Sequence, residues 1–184
     1  ADITTADSLF TGSLMTDISL GRINDGQDMG LFILSTPGQE NGDDAYNGIL
    51  TEPIFSLQTG FYGQNQLIVE INTPDNNGNV HYSLDGTPPT EESVEYSGSI
   101  SVQSNTVIRA RSFQTGWLES PINTQTYILD QLQPGLPTVF LTTDPDDFFD
   151  YETGIYVMGP NASGDFPHFG ANFWEDWERP IHIG

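Results

Sequence analysis

Short apolar runs of period two, separated by clusters of turn-forming residues, constrain this chain more than any other feature of its sequence. One run covers residues 67–71 and a second covers residues 80–84, and the stretch 73–79 between them is rich in Asn, Asp, Gly and Pro. Successive side chains of a strand point to opposite faces, so this period predicts strands with one buried face. The simplest topology for the two runs is a hairpin. Further short strands are predicted at residues 99–102, 106–113 and 124–129.

The spacing of these runs, with about one strand in every ten residues, is typical of a β-sandwich. The chain has 184 residues, of which 36% are hydrophobic, and can therefore bury a core. Its 19 glycines and 12 prolines punctuate the apolar runs. We predict an all-β fold, with one antiparallel sandwich over residues 52–129 and β-rich N- and C-terminal extensions. The side chains expected inside the sandwich are Leu67, Val69, Val80, Tyr82, Leu84 and Ile108.

The charge of the chain excludes several classes of partner. It carries 26 acidic residues against 4 basic ones, has a formal net charge of −22 and contains no lysine. Such a surface repels phosphate backbones and anionic lipids, so we expect no nucleic-acid binding. No apolar run approaches the roughly 18 residues that span a bilayer, and we expect no membrane insertion. The absence of cysteine excludes disulfides, thiolate metal sites and thiol nucleophiles.

The central segment carries a family resemblance. Residues 82–90 are Tyr-Ser-Leu-Asp-Gly-Thr-Pro-Pro-Thr, and they are followed by Tyr-Ser-Gly-Ser-Ile at 96–100, Ile-Arg-Ala-Arg-Ser at 108–112, Gly-Trp-Leu-Glu-Ser at 116–120 and Thr-Gln-Thr-Tyr at 124–127. This order resembles the chitobiase/β-hexosaminidase C-terminal type module, also called the fibronectin-III-associated module. The resemblance implies an immunoglobulin-like sandwich that serves as an accessory domain and is not catalytic.

Two partial resemblances flank the sandwich. In residues 1–51, the stretches Asp17 to Gly26 and Thr36 to Asn41 resemble the closing strands of the lamin-tail domain. In residues 130–184, a Leu-Pro-x-x-x-Leu-x-Thr strand, an Asp-rich turn, a Gly-Ile-Tyr-Val strand and an Ala-Asn-aromatic block resemble the start of a CotH-like domain. That family includes atypical kinases. Protein kinases use a lysine to bind the phosphates, and this chain has none, so we expect no kinase activity.

One acidic cluster is a candidate metal site. The carboxylates of Asp144, Asp146, Asp147 and Asp150 are hard oxygen ligands of the kind that bind Ca²⁺, although their spacing does not fit an EF-hand. The alternative, which we favour, is a solvated turn in which Asp144 or Asp146 caps a short helix. Calcium is the only cofactor that the sequence suggests.

The tryptophans are candidate carbohydrate contacts. Trp117, Trp174 and Trp177 can each offer a ring on which a sugar stacks, and the last two share a face if residues 172–178 form one helical turn. Such residues are more often packing or docking residues. No sequence spacing selects a catalytic pair of carboxylates, and no Gly-x-Ser-x-Gly nucleophile motif is present.

These observations favour a non-catalytic structural or interaction segment of a secreted multidomain cell-surface or extracellular-assembly protein. The partners expected are other domains of the parent protein or copies of the chain itself. The first alternative is a carbohydrate-binding accessory module that contacts polysaccharide. The second is a non-catalytic fragment of a CotH-like kinase protein.

Overall fold

A computed structural model describes residues 16–26, 28–74 and 78–184. Contacts divide these residues into two units. The first contains the described residues up to Ile49 together with Gln114–Leu118, and the second contains Leu50–Phe113 and Glu119–Gly184. The sequence predicts three segments, and that division stays a prediction; residues 130–184 lie in the same unit as the sandwich. The family assignments of residues 1–51 and of residues 130–184 stay predictions.

The first unit is built on a short antiparallel hairpin. Strand β1 (Ser19–Arg22) is followed by a 3-10 turn (Ile23–Asp25) and by strand β2 (Met29–Phe32). The backbone of Leu31 exchanges two hydrogen bonds with Tyr46, at 2.9 and 2.8 Å. The loop after β2 thus returns to lie beside that strand.

Asn41 joins the two stretches that resemble the lamin-tail domain. Its side-chain amide donates to the backbone oxygen of Arg22 at 2.8 Å, and the Thr36 hydroxyl donates to its side-chain oxygen at 2.6 Å. A Cβ on Gly21 would lie 2.8 Å from the Asn41 amide nitrogen. Glycine at this position therefore makes room for the bond between the two stretches.

The second unit contains the sandwich. Its strands are β3 (Ile54–Phe55), β4 (Gly60–Phe61), β5 (Leu67–Val69), β6 (Ile71–Asn72), β7 (Asn79–Ser83), β8 (Val94–Glu95), β9 (Ile100–Val102), β10 (Thr106–Phe113) and β11 (Asn123–Ile128). The five-stranded sheet has the order β4-β11-β10-β7-β8, and two-stranded sheets pair β3 with β6 and β5 with β9. All these pairings are antiparallel except that of β4 with β11.

The hairpin predicted between residues 67–71 and 80–84 is wrong. β5 pairs with β9 and β6 pairs with β3, whereas β7 pairs with β10 and β8. The two runs therefore belong to different sheets. Apolar alternation shows which face of a strand is buried, but it does not identify the strand that pairs with it.

The predicted core is confirmed except at one position. Val69 and Ile108 are fully buried, and Tyr82 packs against the cluster. Leu84 is 50% exposed, because β7 ends at Ser83, whose hydroxyl donates to the backbone oxygen of Thr87 at 2.6 Å and begins a turn. The core consists of Phe55, Leu67, Val69, Ile71, Val80, Ile100, Val102, Ile108, Ala110, Tyr127 and Leu129.

The C-terminal segment has little regular structure. Strand β12 (Leu141–Thr142) pairs with strand β13 (His182–Ile183), and between them lie helix α1 (Pro145–Phe149) and a 3-10 turn (Asn172–Trp174). The ring of Phe140 lies 5.5 Å from that of Phe61, so the segment packs on the sandwich.

The strand expected around Gly154 to Gly159 is absent from this part of the described chain. The backbone amides of Ile155 and Tyr156 donate to Asp147 and Phe148, at 2.9 Å each. These bonds return the chain to α1 instead of pairing it with a strand. No helix in the described ranges is long and apolar enough to cross a bilayer.

Candidate functional site

The Asp85 turn carries the motif of the central resemblance. The Thr87 hydroxyl and backbone amide both donate to Asp85 Oδ1, at 2.6 and 3.1 Å, and these bonds lower the pKa of the Asp85 carboxyl. Gly86 has a φ of +89°, which favours glycine. Pro89 is fully buried and, with Pro88, ends the possibility of strand pairing. This turn is structural, since its polar groups are bonded to one another.

The acidic cluster forms a capped turn. Asp144 precedes α1, and its carboxylate accepts a hydrogen bond from the Asp146 amide at 3.1 Å. Pro145 occupies the first helical turn, where its missing N–H costs no hydrogen bond. The prediction that Asp144 or Asp146 caps a helix here is therefore confirmed for Asp144.

The carboxylates of Asp147 and Asp150 have separate partners. Asp147 lies 3.5 Å from the Nε of Arg179 and accepts from the Thr143 hydroxyl at 3.1 Å. Asp150 accepts from the backbone and hydroxyl of Thr153, and these bonds lower the pKa of its carboxyl. Within the described residues, no three His, Cys, Asp or Glu side chains are arranged to hold a metal ion. Calcium binding at this turn stays the untested alternative.

Trp117 is a packing residue of the first unit. A Cβ on Gly48 would lie 2.6 Å from its ring, so glycine there allows the ring to pack against the backbone. The Trp117 amide donates to the backbone oxygen of Gln114 at 3.1 Å, which closes the turn that carries the ring.

Trp174 and Trp177 do not form the shared helical face. The 3-10 turn ends at Trp174, and Glu175 after it has an extended backbone with ψ of 146°. The guanidinium of Arg179 lies 5.2 Å from the centre of the Trp177 ring. The spacing of three residues therefore does not align the two tryptophans.

Trp174 instead belongs to an exposed aromatic group. Its ring centre lies 6.0 Å from that of Phe169 and 5.8 Å from that of Phe173. Its indole N–H donates to the backbone oxygen of Pro167 at 3.0 Å, which fixes the ring while 55% of the side chain stays exposed. We call Phe169, Phe173 and Trp174 the Trp174 cluster.

A second exposed group lies at the end of α1. The ring centre of Phe149 lies 5.9 Å from that of Phe148 and 6.2 Å from that of Tyr156. Phe149 is 64% exposed and Tyr156 is 73% exposed. We call these three residues the Phe149 cluster. The aromatic residues are visible in the sequence, but their exposure is not. They are exposed because α1 is short and the described residues after it form no strand or helix that would bury one face of the rings.

Asn172 organises the C-terminal segment, and sequence reasoning missed its role. It is buried, and its side-chain amide lies within hydrogen-bond distance of the backbone oxygens of Tyr151, Glu152 and Gly154. These oxygens lie in the turns after α1. The sequence shows only an asparagine next to an alanine inside an aromatic block.

Comparison with known proteins gives a match within the sandwich. A family model of the chitobiase/beta-hexosaminidase C-terminal domain matches residues 57–126. Domains of this family are non-catalytic accessory modules of glycosidases with an immunoglobulin-like fold. No curated protein and no solved structure matches the chain. The match supports the module predicted over residues 52–129, whereas the lamin-tail-like and CotH-like assignments stay predictions.

Proposed function

Because residues 57–126 match an accessory module, we propose that this chain is a non-catalytic interaction segment of a secreted multidomain protein. In this proposal the sandwich is a rigid base for residues 130–184, whose exposed aromatic clusters bind a neighbouring domain of the parent protein. Secretion is proposed because glycosidase-associated domains of this family are typically extracellular.

The exposure of large apolar side chains in the C-terminal segment carries the proposal. Ala171 is the one buried hydrophobic residue after residue 130, whereas most of the exposed large hydrophobic side chains of the described chain lie in this stretch. An exposed group of aromatic side chains is unusual for a free surface and typical of an interaction site. The Phe149 and Trp174 clusters are therefore the proposed contacts.

Charge favours a different domain over a second copy as the partner. Each copy has a formal net charge of −22, so two copies repel each other. Glu175 and Asp176 follow the Trp174 cluster, and Asp146 and Asp150 lie beside the Phe149 cluster in sequence. A partner surface with an apolar centre and basic residues at its rim would complement both features.

Hydrogen exchange tests this function. We expect amides of residues 148–156 and 169–174 to exchange faster in the isolated chain than in the parent protein with its flanking domains. A Phe149→Ser, Trp174→Ser double variant should lose the added protection, because it removes the proposed contacts. The variant should still fold, because both side chains are largely exposed in the isolated chain and contribute little to its own stability. Equal exchange in the two contexts would refute the proposal, and a dimer detected by light scattering would assign the clusters to a second copy.

A carbohydrate-binding accessory module is the second candidate function. The Trp174 cluster supports it, since a partly exposed ring fixed through its indole N–H can stack against a sugar. Affinity electrophoresis in gels that contain soluble polysaccharide tests this candidate. Retardation that is lost in Trp174→Ala, but kept in Trp117→Phe, would favour it over domain docking.

The flanking resemblances extend the proposal. We infer that residues 1–51 derive from the end of a lamin-tail-like domain, and the bond between Asn41 and Arg22 supports this, since it joins the two similar stretches. We also infer that residues 130–184 derive from the start of a CotH-like domain without kinase activity. A phosphotransfer assay with ATP tests the second inference, and a rate that a point change in this chain abolishes would overturn it.

A further inference from the structure

One cavity of the second unit lies where the C-terminal segment packs against the sandwich. Its volume is about 440 Å³, within the range of small-ligand sites. We call it the Arg109 cavity. It is lined by Pro88, Arg109, Ile122, Thr124, Thr142, Asp144, Asp147, Pro180, Ile181 and His182.

Arg109 is anchored by one hydrogen bond and uses little of its hydrogen-bonding capacity. It lies on β10 opposite Thr124 of β11, and one Nη donates to the backbone oxygen of Gly86 at 2.8 Å. Its Nε is buried and has no hydrogen-bond partner among the described residues. Burial lowers the pKa of the guanidinium and the nearby Asp144 carboxylate opposes this effect, but the group stays charged. The other Nη makes no hydrogen bond within the described residues and is not buried, so it can donate to a ligand in the cavity.

Two threonines at the cavity add free hydroxyls. Thr124 is 2% exposed and Thr142 is 7% exposed. Within the described part of the chain, neither hydroxyl takes part in a hydrogen bond. Each hydroxyl can both donate and accept, so the cavity offers polar groups of both kinds at fixed positions.

The charges of the site balance. Asp147 pairs with Arg179, and the Asp144 carboxylate attracts Arg109 without forming an ion pair with it in the described structure. The cavity is therefore close to neutral in a chain that is otherwise strongly acidic. A charged ligand would find no excess of opposite charge there, whereas a neutral ligand with several hydroxyls could accept from Arg109 and donate to Asp144.

Apolar walls complete the site. Ile122 and Ile181 lie at the cavity with Pro88 and Pro180. A pyranose ring has an apolar face and a rim of hydroxyls, which matches this combination of aliphatic walls and fixed polar groups. We propose that the Arg109 cavity binds a single pyranose unit of a neutral sugar. This site is separate from the Trp174 cluster and does not depend on the proposed docking function.

Sugar binding in the Arg109 cavity can be followed through the side-chain Nε–H signal of Arg109 in ¹H–¹⁵N NMR spectra. The probes are the neutral sugars glucose and N-acetylglucosamine. Free alanine, a small zwitterion, is the charged control. We expect one or both sugars to shift this signal saturably, and alanine to leave it unchanged. No saturable shift with either sugar, or a shift with alanine alone, would overturn the proposal.

Variants separate the cavity from other contacts. Ile122→Trp should fill the cavity and abolish the shift of the Arg109 signal. Asp144→Asn keeps the helix cap but removes a charged acceptor, so it should weaken sugar binding about tenfold. Arg111→Lys is the matched control, since Arg111 lies on the same strand but bonds Glu119 and the backbone of Ser120. Binding that survives both cavity variants, or that is lost in Trp174→Ala, would contradict the assignment.

Discussion

Gly159 lies directly against the buried side chain of Asn172. A Cβ on Gly159 would overlap the Asn172 amide, and the glycine has a φ of +71°. The amide cannot move aside without losing its bonds to the carbonyls of the turns after α1. These two residues therefore fix the path of the C-terminal segment together.

We expect Gly159→Ala to destabilise the second unit by about 2 kcal/mol, because it combines backbone strain with loss of the Asn172 bonds. Urea unfolding followed by tryptophan fluorescence measures the effect. Gly164→Ala is the control, since no atom lies within 4 Å of a Cβ there. This control should change stability by less than about 0.5 kcal/mol. Equal effects of the two variants would show that the packing of Gly159 against Asn172 is unimportant.

The sandwich was largely predictable because its signals are local. Alternating apolar residues identified β5, β7 and β10, and the Asp85 turn follows from turn-forming residues next to one another in sequence. The sheet partners were not predictable in this way. The pairing of β5 with β9 joins residues more than thirty positions apart, and no side-chain pattern in either strand identifies the other.

The core itself provides the second prediction. Ile108→Ala should cost about 2 to 5 kcal/mol, since it creates a cavity at a fully buried position. Leu84→Ala should cost less than about 0.5 kcal/mol, because half of that side chain is exposed beyond the end of β7. Thermal or urea unfolding of both variants compares the two costs. A large effect at Leu84 would restore the sequence-based assignment of this residue to the core.

The C-terminal segment shows where sequence reasoning stopped. The cap at Asp144 was predictable, because an N-cap bonds an amide two residues away. The role of Asn172 was not, since the carbonyls that it bonds lie 18 to 21 positions earlier. The Arg109 cavity likewise combines β10 and β11 with residues from both ends of the C-terminal segment.

The acidic turn gives the third prediction. Asp144→Ala should cost about 1 kcal/mol through loss of the cap, whereas Asp144→Asn should be close to neutral. Because the carboxylates of Asp144, Asp147 and Asp150 each have a separate partner, we expect equal melting temperatures in millimolar Ca²⁺ and in chelator at matched ionic strength. A gain specific to Ca²⁺ that disappears in an Asp146→Asn, Asp147→Asn double variant would instead establish the calcium site.

Tyr127 gives the fourth prediction, which concerns alkaline pH. Burial raises the pKa of its phenol well above the ordinary value, and the hydroxyl donates to the backbone oxygen of Leu57 at 3.0 Å. The folded state thus holds this proton more tightly than the unfolded state does. Its contribution to stability is complete below about pH 10, the ordinary tyrosine pKa, and is lost as the pH rises above that value.

Tyr127→Phe removes both the hydrogen bond and the titrating group. At pH 8 the variant should be less stable by about 1 kcal/mol, the usual net value of such a bond. Between pH 9.5 and 11 its stability should fall less steeply than that of the original chain, so the difference between the two should narrow. Urea unfolding across this pH range measures both slopes. Tyr62→Phe is the comparison, since Tyr62 is less buried and its phenol donates to the backbone oxygen of Gln58 at 2.6 Å. Parallel slopes for Tyr127→Phe and the original chain would show that the buried phenol does not govern alkaline unfolding.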